Sequence, residues 1–338
     1  MDKLAAQEQI KHLSSRGREL LGVEHSILGG AMTWVSERNL VAAISNAGGF
    51  GVIACGSMTT ELLRSEIRAT KALTSKPFGV NLIVMHPDLM DLVEVCGEEQ
   101  VGCIVLAGGI PPRAVMRRVK ELGSTLIGFA PALGIARKLV RDGADGLIIE
   151  GTEAGGHIGP VATSVLAQEI LPNIPEVPVF VAGGIGRGEA ILSYLEMGAA
   201  GCQLGTRFVC SEESIAHANF KEAFLKGSAR DAMPSVQVDP RFPVIPVRAL
   251  QNEAQKRFIE TQHSVIERWR SGEIDQKSAQ LEIEHFWAGA LRRAVIDGDI
   301  EGGSLMAGQS VGMVNAVQPA ASIIAELLDQ AEDALIKR

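Results

Sequence analysis

Eight short apolar runs, each followed by a stretch of helical periodicity, recur through the first 210 residues, and this rhythm constrains the fold more than anything else in the chain. The runs cover 26–28, 51–54, 78–84, 103–107, 125–129, 146–149, 178–182 and 201–205. Short apolar runs bounded by glycine read as buried strands. Strands that alternate with helices pair in parallel, because a parallel connection needs a crossover. Eight such units predict an α/β chain closed into a (β/α)8 TIM barrel.

Composition fits that reading. Hydrophobic residues make up 46% of the chain and aromatics only 4%, which suits a core of Val, Ile, Leu and Ala rather than a sandwich. The net charge of -8, with no Lys/Arg cluster, argues against a nucleic-acid partner, since phosphates need a basic face. Cys55, Cys96, Cys103, Cys202 and Cys210 are odd in number and widely spaced, so they suggest neither a disulfide framework nor a zinc site. The first 20 residues are charged and amphipathic, and no apolar run reaches the ~18 residues that span a bilayer. The expectation is a cytoplasmic protein with no membrane partner and no metal. His86, His217 and His285 come from separate segments without ligand spacing and read as structural.

The chain divides by pattern into three parts: 1–210, an N-terminal helix and the barrel; 211–285, a small helical insertion after the eighth strand; and 286–338, the closing helices with a Gly/Ser-rich loop. Pro234, Pro240, Pro243 and Pro246 break the insertion, and its helix over 251–270 carries Phe258, Ile259, Val265, Ile266 and Trp269. With Trp269 and Trp287 it reads either as a lid or as a homodimer face. Ser36 is placed to cap the first barrel helix.

In such a barrel the loops after the strands form the active face. The sixth strand runs into Gly151-Thr152-Glu153-Ala154-Gly155-Gly156-His157-Ile158-Gly159, four glycines around one titratable ring. The turns Gly183-Gly184 after the seventh strand and Gly205-Thr206 after the eighth offer unhindered N–H groups where barrels of this kind bind phosphate. Small residues at Gly143-Ala144-Asp145-Gly146 and Gly198-Ala199-Ala200-Gly201 fall at the opposite end and read as stability.

These pieces together carry a resemblance. Gly29-Gly30-Ala31-Met32-Thr33-Trp34-Val35, Asn46 to Ile53, Lys76-Pro77-Phe78-Gly79-Val80-Asn81, Glu150 to Gly159, Ala182-Gly183-Gly184-Ile185, Gln203 to Phe208 and Ser304-Leu305-Met306-Ala307-Gly308-Gln309 resemble the FMN-dependent 2-nitropropane dioxygenase family. That family includes nitronate monooxygenases and flavin-containing type II enoyl-acyl carrier protein reductases. The resemblance runs from about residue 20 to 325. It implies FMN across the barrel top, held by Gly30, Ala31, Met32, Asn81, Glu150, Gly156, Ala182, Gly183, Gly184, Gln203, Gly205, Thr206, Met306 and Gln309, with Met306 and Gln309 closing its far side. His157 is then the catalytic residue, handling a proton beside the reactive ring.

Two activities follow: oxidation of small nitronates with O2, which is the expectation, and NADH-dependent reduction of enoyl thioesters, with acyl carrier protein as a partner and NAD(P)H as a transient reductant. The nitronate monooxygenases use tyrosines and a lysine around the substrate, whereas this chain's one tyrosine, Tyr194, falls on a helix toward the barrel bottom. No Gly-x-Gly-x-x-Gly stands in a Rossmann context, so a nicotinamide would bind transiently at the flavin face.

Overall fold

The computed structural model describes residues 1–338 and contains eleven strands. They are β1 (Ile27–Gly29), β2 (Gly51–Ala54), β3 (Phe78–Ile83), β4 (Cys103–Ala107), β5 (Thr125–Phe129), β6 (Gly146–Glu150), β7 (Gly156–His157), β8 (Val179–Ala182), β9 (Gly201–Leu204), β10 (Ala232–Pro234) and β11 (Val247–Leu250). Eight of them form one parallel sheet in the order β1-β9-β8-β6-β5-β4-β3-β2. A parallel bridge from Leu28 to Phe50 joins its two edges, so the sheet closes. The expected (β/α)8 barrel is the observed fold.

Alternation along each strand separates two cores. Leu28, Phe50, Val52, Val105, Ile127, Ile148 and Phe180 point inward and fill the barrel, while their neighbours Ile53, Ile104, Leu126, Leu147, Ile149 and Val181 point outward under the helices. The N-terminal segment plugs the lower end with Leu20 and Leu21. It is two helices, Lys3–Leu13 and Ser15–Leu21, where the periodicity suggested one. Ser14 breaks it by turning its hydroxyl back onto the Ile10 carbonyl at 2.8 Å. Gly17 lets the second helix touch the barrel floor, since a Cβ there would lie 2.1 Å from the Ala200 carbonyl oxygen.

The segment after β9 departs from its expected helical character. Besides helices Ala218–Lys226, Glu253–Arg270 and Gln276–His285, it holds β10 and β11. These pair antiparallel with each other, and β11 pairs antiparallel with β7, giving a second sheet in the order β10-β11-β7. The period-2 signal was too short to read, because each strand has only two to four residues. The insertion's aromatics form a core of their own: Phe242, Phe258, Val265, Ile266, Ala279 and Ile283 are buried together, flanked by Trp269, Phe286 and Trp287. Arg241 stacks over Trp269, 4.6 Å from its ring centre.

No helix of the structure is long and apolar enough to cross a membrane. All five cysteines are buried free thiols. His86 and His217 accept backbone N–H groups from Asp88 and Asn219 at 3.1 Å each, which accounts for both rings locally.

Candidate active site

The inward alternation that fills the barrel with apolar side chains ends in a polar layer. Asn81 on β3, Glu150 on β6 and Gln203 on β9 have inward parity, since their neighbours Val80, Leu82, Ile149, Cys202 and Leu204 pack outward, and all three lie in the carboxyl-terminal halves of their strands. Glu150, Ala182 and Gln203 stand in one row across β6, β8 and β9. The Asn81 side-chain amide donates to the Val105 carbonyl at 3.2 Å. Glu150 and Gln203 make no side-chain hydrogen bond within the protein, although Gln203 is only 7% exposed. Burial pushes the Glu150 carboxyl up to about 7, so it is half protonated near neutrality. The polar atoms of Glu150 and Gln203 are not sealed from solvent, and two side chains in one row with no protein partner leave donors and acceptors free for a ligand.

Above β8 and β9 the backbone is bare. Gly183 and Gly184 have φ +99° and +72°, a region that costs most side chains strain, and a Cβ on Gly183 would meet the Gly151 carbonyl at 3.0 Å. Gly30 and Gly205 approach so closely that a Cβ on Gly30 would sit 3.4 Å from the Gly205 Cα, and the Met32 sulfur lies over Gly205. Thr206 adds a hydroxyl to this turn. Its oxygen accepts the Gly308 N–H at 2.9 Å, which fixes the late loop to this turn and leaves the hydroxyl proton to donate elsewhere.

Ser36 does not cap the first barrel helix; the Glu37 carboxylate does, by accepting from the Asn39 and Leu40 amides. The Ser36 hydroxyl faces the other way. It donates to the Gly30 carbonyl at 2.7 Å and accepts the Met32 amide at 3.0 Å, bracing the turn that carries Gly30, Ala31 and Met32. Two residues on, Trp34 has φ +69°, an outlier for so large a side chain, with the Arg292 guanidinium 5.8 Å from its ring centre. Sequence gave Trp34 no role, since a left-handed tryptophan leaves no signal in composition or period.

The stretch after β6 is not a free loop. Glu153 accepts from the Thr163 amide and hydroxyl at 2.9 Å each, and its own carbonyl accepts the Gln309 amide at 2.9 Å. Gly155 packs on the late loop so tightly that a Cβ would lie 2.5 Å from the Gly308 nitrogen. Met306 bridges to Ala249 of β11, and its sulfur lies 3.5 Å from where a Cβ on Gly156 would be. His157 pairs with Val247 across β7 and β11, and the Ile158 amide donates to the Pro246 carbonyl at 3.0 Å. The His157 ring itself makes no hydrogen bond to the protein. It keeps an exposed edge, while the surrounding atoms strip away enough water to lower its pKa from 6.5.

The site therefore gathers Gly30, Ala31, Met32, Asn81, Glu150, Ala182, Gly183, Gly184, Gln203, Gly205 and Thr206 at the barrel's carboxyl face. Gly156, His157, Met306 and Gln309 belong to the stretch after β6 and the late loop that packs on it. Sequence missed Arg248, which is 5% exposed and donates to the Thr152 and Ala232 carbonyls.

Comparison with known proteins supplies the chain's relatives. Over 92% of this chain and 94% of its own, a hydroxy-methyl-oxo-octahydroindene-carboxyl-CoA dehydrogenase of Mycobacterium tuberculosis is 31% identical. A probable nitronate monooxygenase of Staphylococcus aureus is 28% identical over 94% of this chain and 97% of its own. The structure of FabK from Thermotoga maritima superposes with a TM-score of 0.86 at 37% identity, covering 95% of this chain and 97% of that one. The names of these relatives mark an oxidoreductase. Residues 14–330 match the nitronate monooxygenase family, and the chain belongs to it.

Proposed function

We propose that the protein is an FMN-dependent oxidoreductase that reduces enoyl thioesters, with NAD(P)H as the transient reductant. The observation that carries the cofactor is the unpartnered Glu150–Ala182–Gln203 row beneath the left-handed Gly183-Gly184 turn: polar groups suited to a heteroaromatic ring, beside bare N–H groups suited to one phosphate. Gly30 and Gly205 keep that cradle open where a Cβ would narrow it. FMN, when bound there, supplies hydride transfer.

The residues divide the remaining work. His157, with its lowered pKa, is neutral at pH 7, so one ring nitrogen donates a hydrogen bond to the thioester oxygen as negative charge develops on it. Glu150, titrating near neutrality, can hold a proton for the ligand. Asn81 and Gln203 orient, and the loop over 304–309 excludes water from one side.

The thioester is favoured over the nitronate because the loops after the barrel strands contain neither tyrosine nor lysine. The names of the FabK and CoA dehydrogenase relatives point the same way. The Staphylococcus relative supports the second reading, a monooxygenase of small nitronates. Acid release and chromatography of the purified protein should yield FMN; FAD, or no flavin after reconstitution, would overturn the cofactor. Steady-state turnover of NADH with an enoyl thioester should then exceed that of nitronate with O2, and the reverse ranking would select the second reading.

A further inference from the structure

We propose that Arg248 is a positioning residue for His157, so that the insertion rather than the barrel sets where the ring stands. The stretch 151–159 carries four glycines and is costly to order. Its only regular structure is the two-residue β7, and its partner there is β11, ninety residues later in the chain. Arg248 faces Gly156 in that pairing, next to the Val247–His157 pair. Its side chain returns across the same element: Nε donates to the Thr152 carbonyl at 2.9 Å and Nη1 to the Ala232 carbonyl at 2.5 Å. One rigid fork thus joins the start of the His157 stretch to β10, while β11 holds its far end.

Arg248 is 5% exposed and forms no ion pair, although the Glu153 carboxylate, hydrogen-bonded to Thr163, is near enough to favour its charge. Burying an unpaired cation is expensive, and a neutral donor could satisfy one carbonyl. Two carbonyls on separate elements, fixed at one spacing, need the planar fork of arginine.

The inference rests on the reading that His157 acts on the substrate, and the experiment separates the two. Amide hydrogen exchange on the flavin-free protein would compare Ile158 with the amides of β8 and β9. In Arg248→Met, Ile158 exchange should rise at least ~10-fold with β8 and β9 unchanged. In the holoenzyme, kcat should fall roughly 10- to 100-fold with flavin content kept, and Arg248→Met/His157→Ala should be no slower than His157→Ala alone, because the two act as a unit. Arg248→Lys keeps charge and stem, serves as the second folded variant, and should fall between wild type and Met. Unchanged exchange at Ile158 in both variants, or a double variant slower by the full product of the single losses, would overturn the proposal. Full turnover in His157→Ala would instead overturn the role of His157 and leave the exchange result to judge Arg248.

Discussion

The two sides of the barrel mouth are built on different terms. The side over β8 and β9 is backbone: Gly183, Gly184 and Gly205 lie within one or two residues of the strand that places them, and short local turns make their geometry. The side over β6 is side chain, and His157 is placed by residues that are remote in the chain: Pro246, Val247 and Arg248 in the insertion, and Met306, Gly308 and Gln309 in the late loop. A binding cradle can be inherited from the barrel alone. A ring that must meet a reacting atom at one orientation needs support from outside it.

That contrast can be broken experimentally. The largest effect is expected from His157→Ala, which should keep the flavin spectrum and lose turnover by roughly 10²- to 10⁴-fold. Because the ring's pKa lies below 6.5 and its neutral form is the working one, wild-type activity should rise with pH through a limb below 6.5, and the variant should lack it. Retained turnover with the limb intact would remove the ring from the chemistry.

Gly183→Val tests the other side. It forces a β-branched residue to φ +99° and sets a Cβ 3.0 Å from the Gly151 carbonyl, so destabilisation of about 2 to 4 kcal/mol and loss of bound flavin are expected. Thermal melts and flavin content measure both, and wild-type values would move the cradle elsewhere.

Glu150→Gln should act through pH. The folded carboxyl titrates near 7 against 4.5 in the unfolded chain, so the native state binds the extra proton and flavin-free stability falls as pH rises from about 4.5 through 7. The variant should lose that slope and be more stable at pH 8 by about 1 to 3 kcal/mol. A parallel pH dependence in the two proteins would refute the buried titration.

A change no larger than that of Glu150→Gln is expected from Thr206→Val, which leaves the buried Gly308 N–H without its acceptor and costs about 1 to 3 kcal/mol. Since Thr206 touches both sides of the mouth, flavin affinity should weaken and proteolysis within 304–309 should quicken. A change in affinity alone would show that the late loop does not depend on this contact.

The barrel was legible because its code is local. Each strand announces itself by a short apolar run between glycines, and helix closure follows from the period of the segment between, so fold, strand order and the loops that form the active face could be read without a contact map. His157, Gly183 and Thr206 stood out for the same reason, as special residues in the turns after strands, whereas Glu150 entered only through the family resemblance. Local reading failed where a residue's partner is distant. Ser36 has a helix cap's chemistry but braces Gly30 and Met32, because Glu37 reaches the helix amides first. Strands as short as β7, β10 and β11 carry no period of their own and exist only through pairing. An isolated arginine among prolines looks like surface until tertiary packing buries it against two carbonyls. The sequence by itself determined the barrel and the glycine-rich stretch that carries His157. Only the tertiary structure decided how that histidine is held, since the energy that orders a glycine-rich stretch comes from contacts with chain ninety and more residues away.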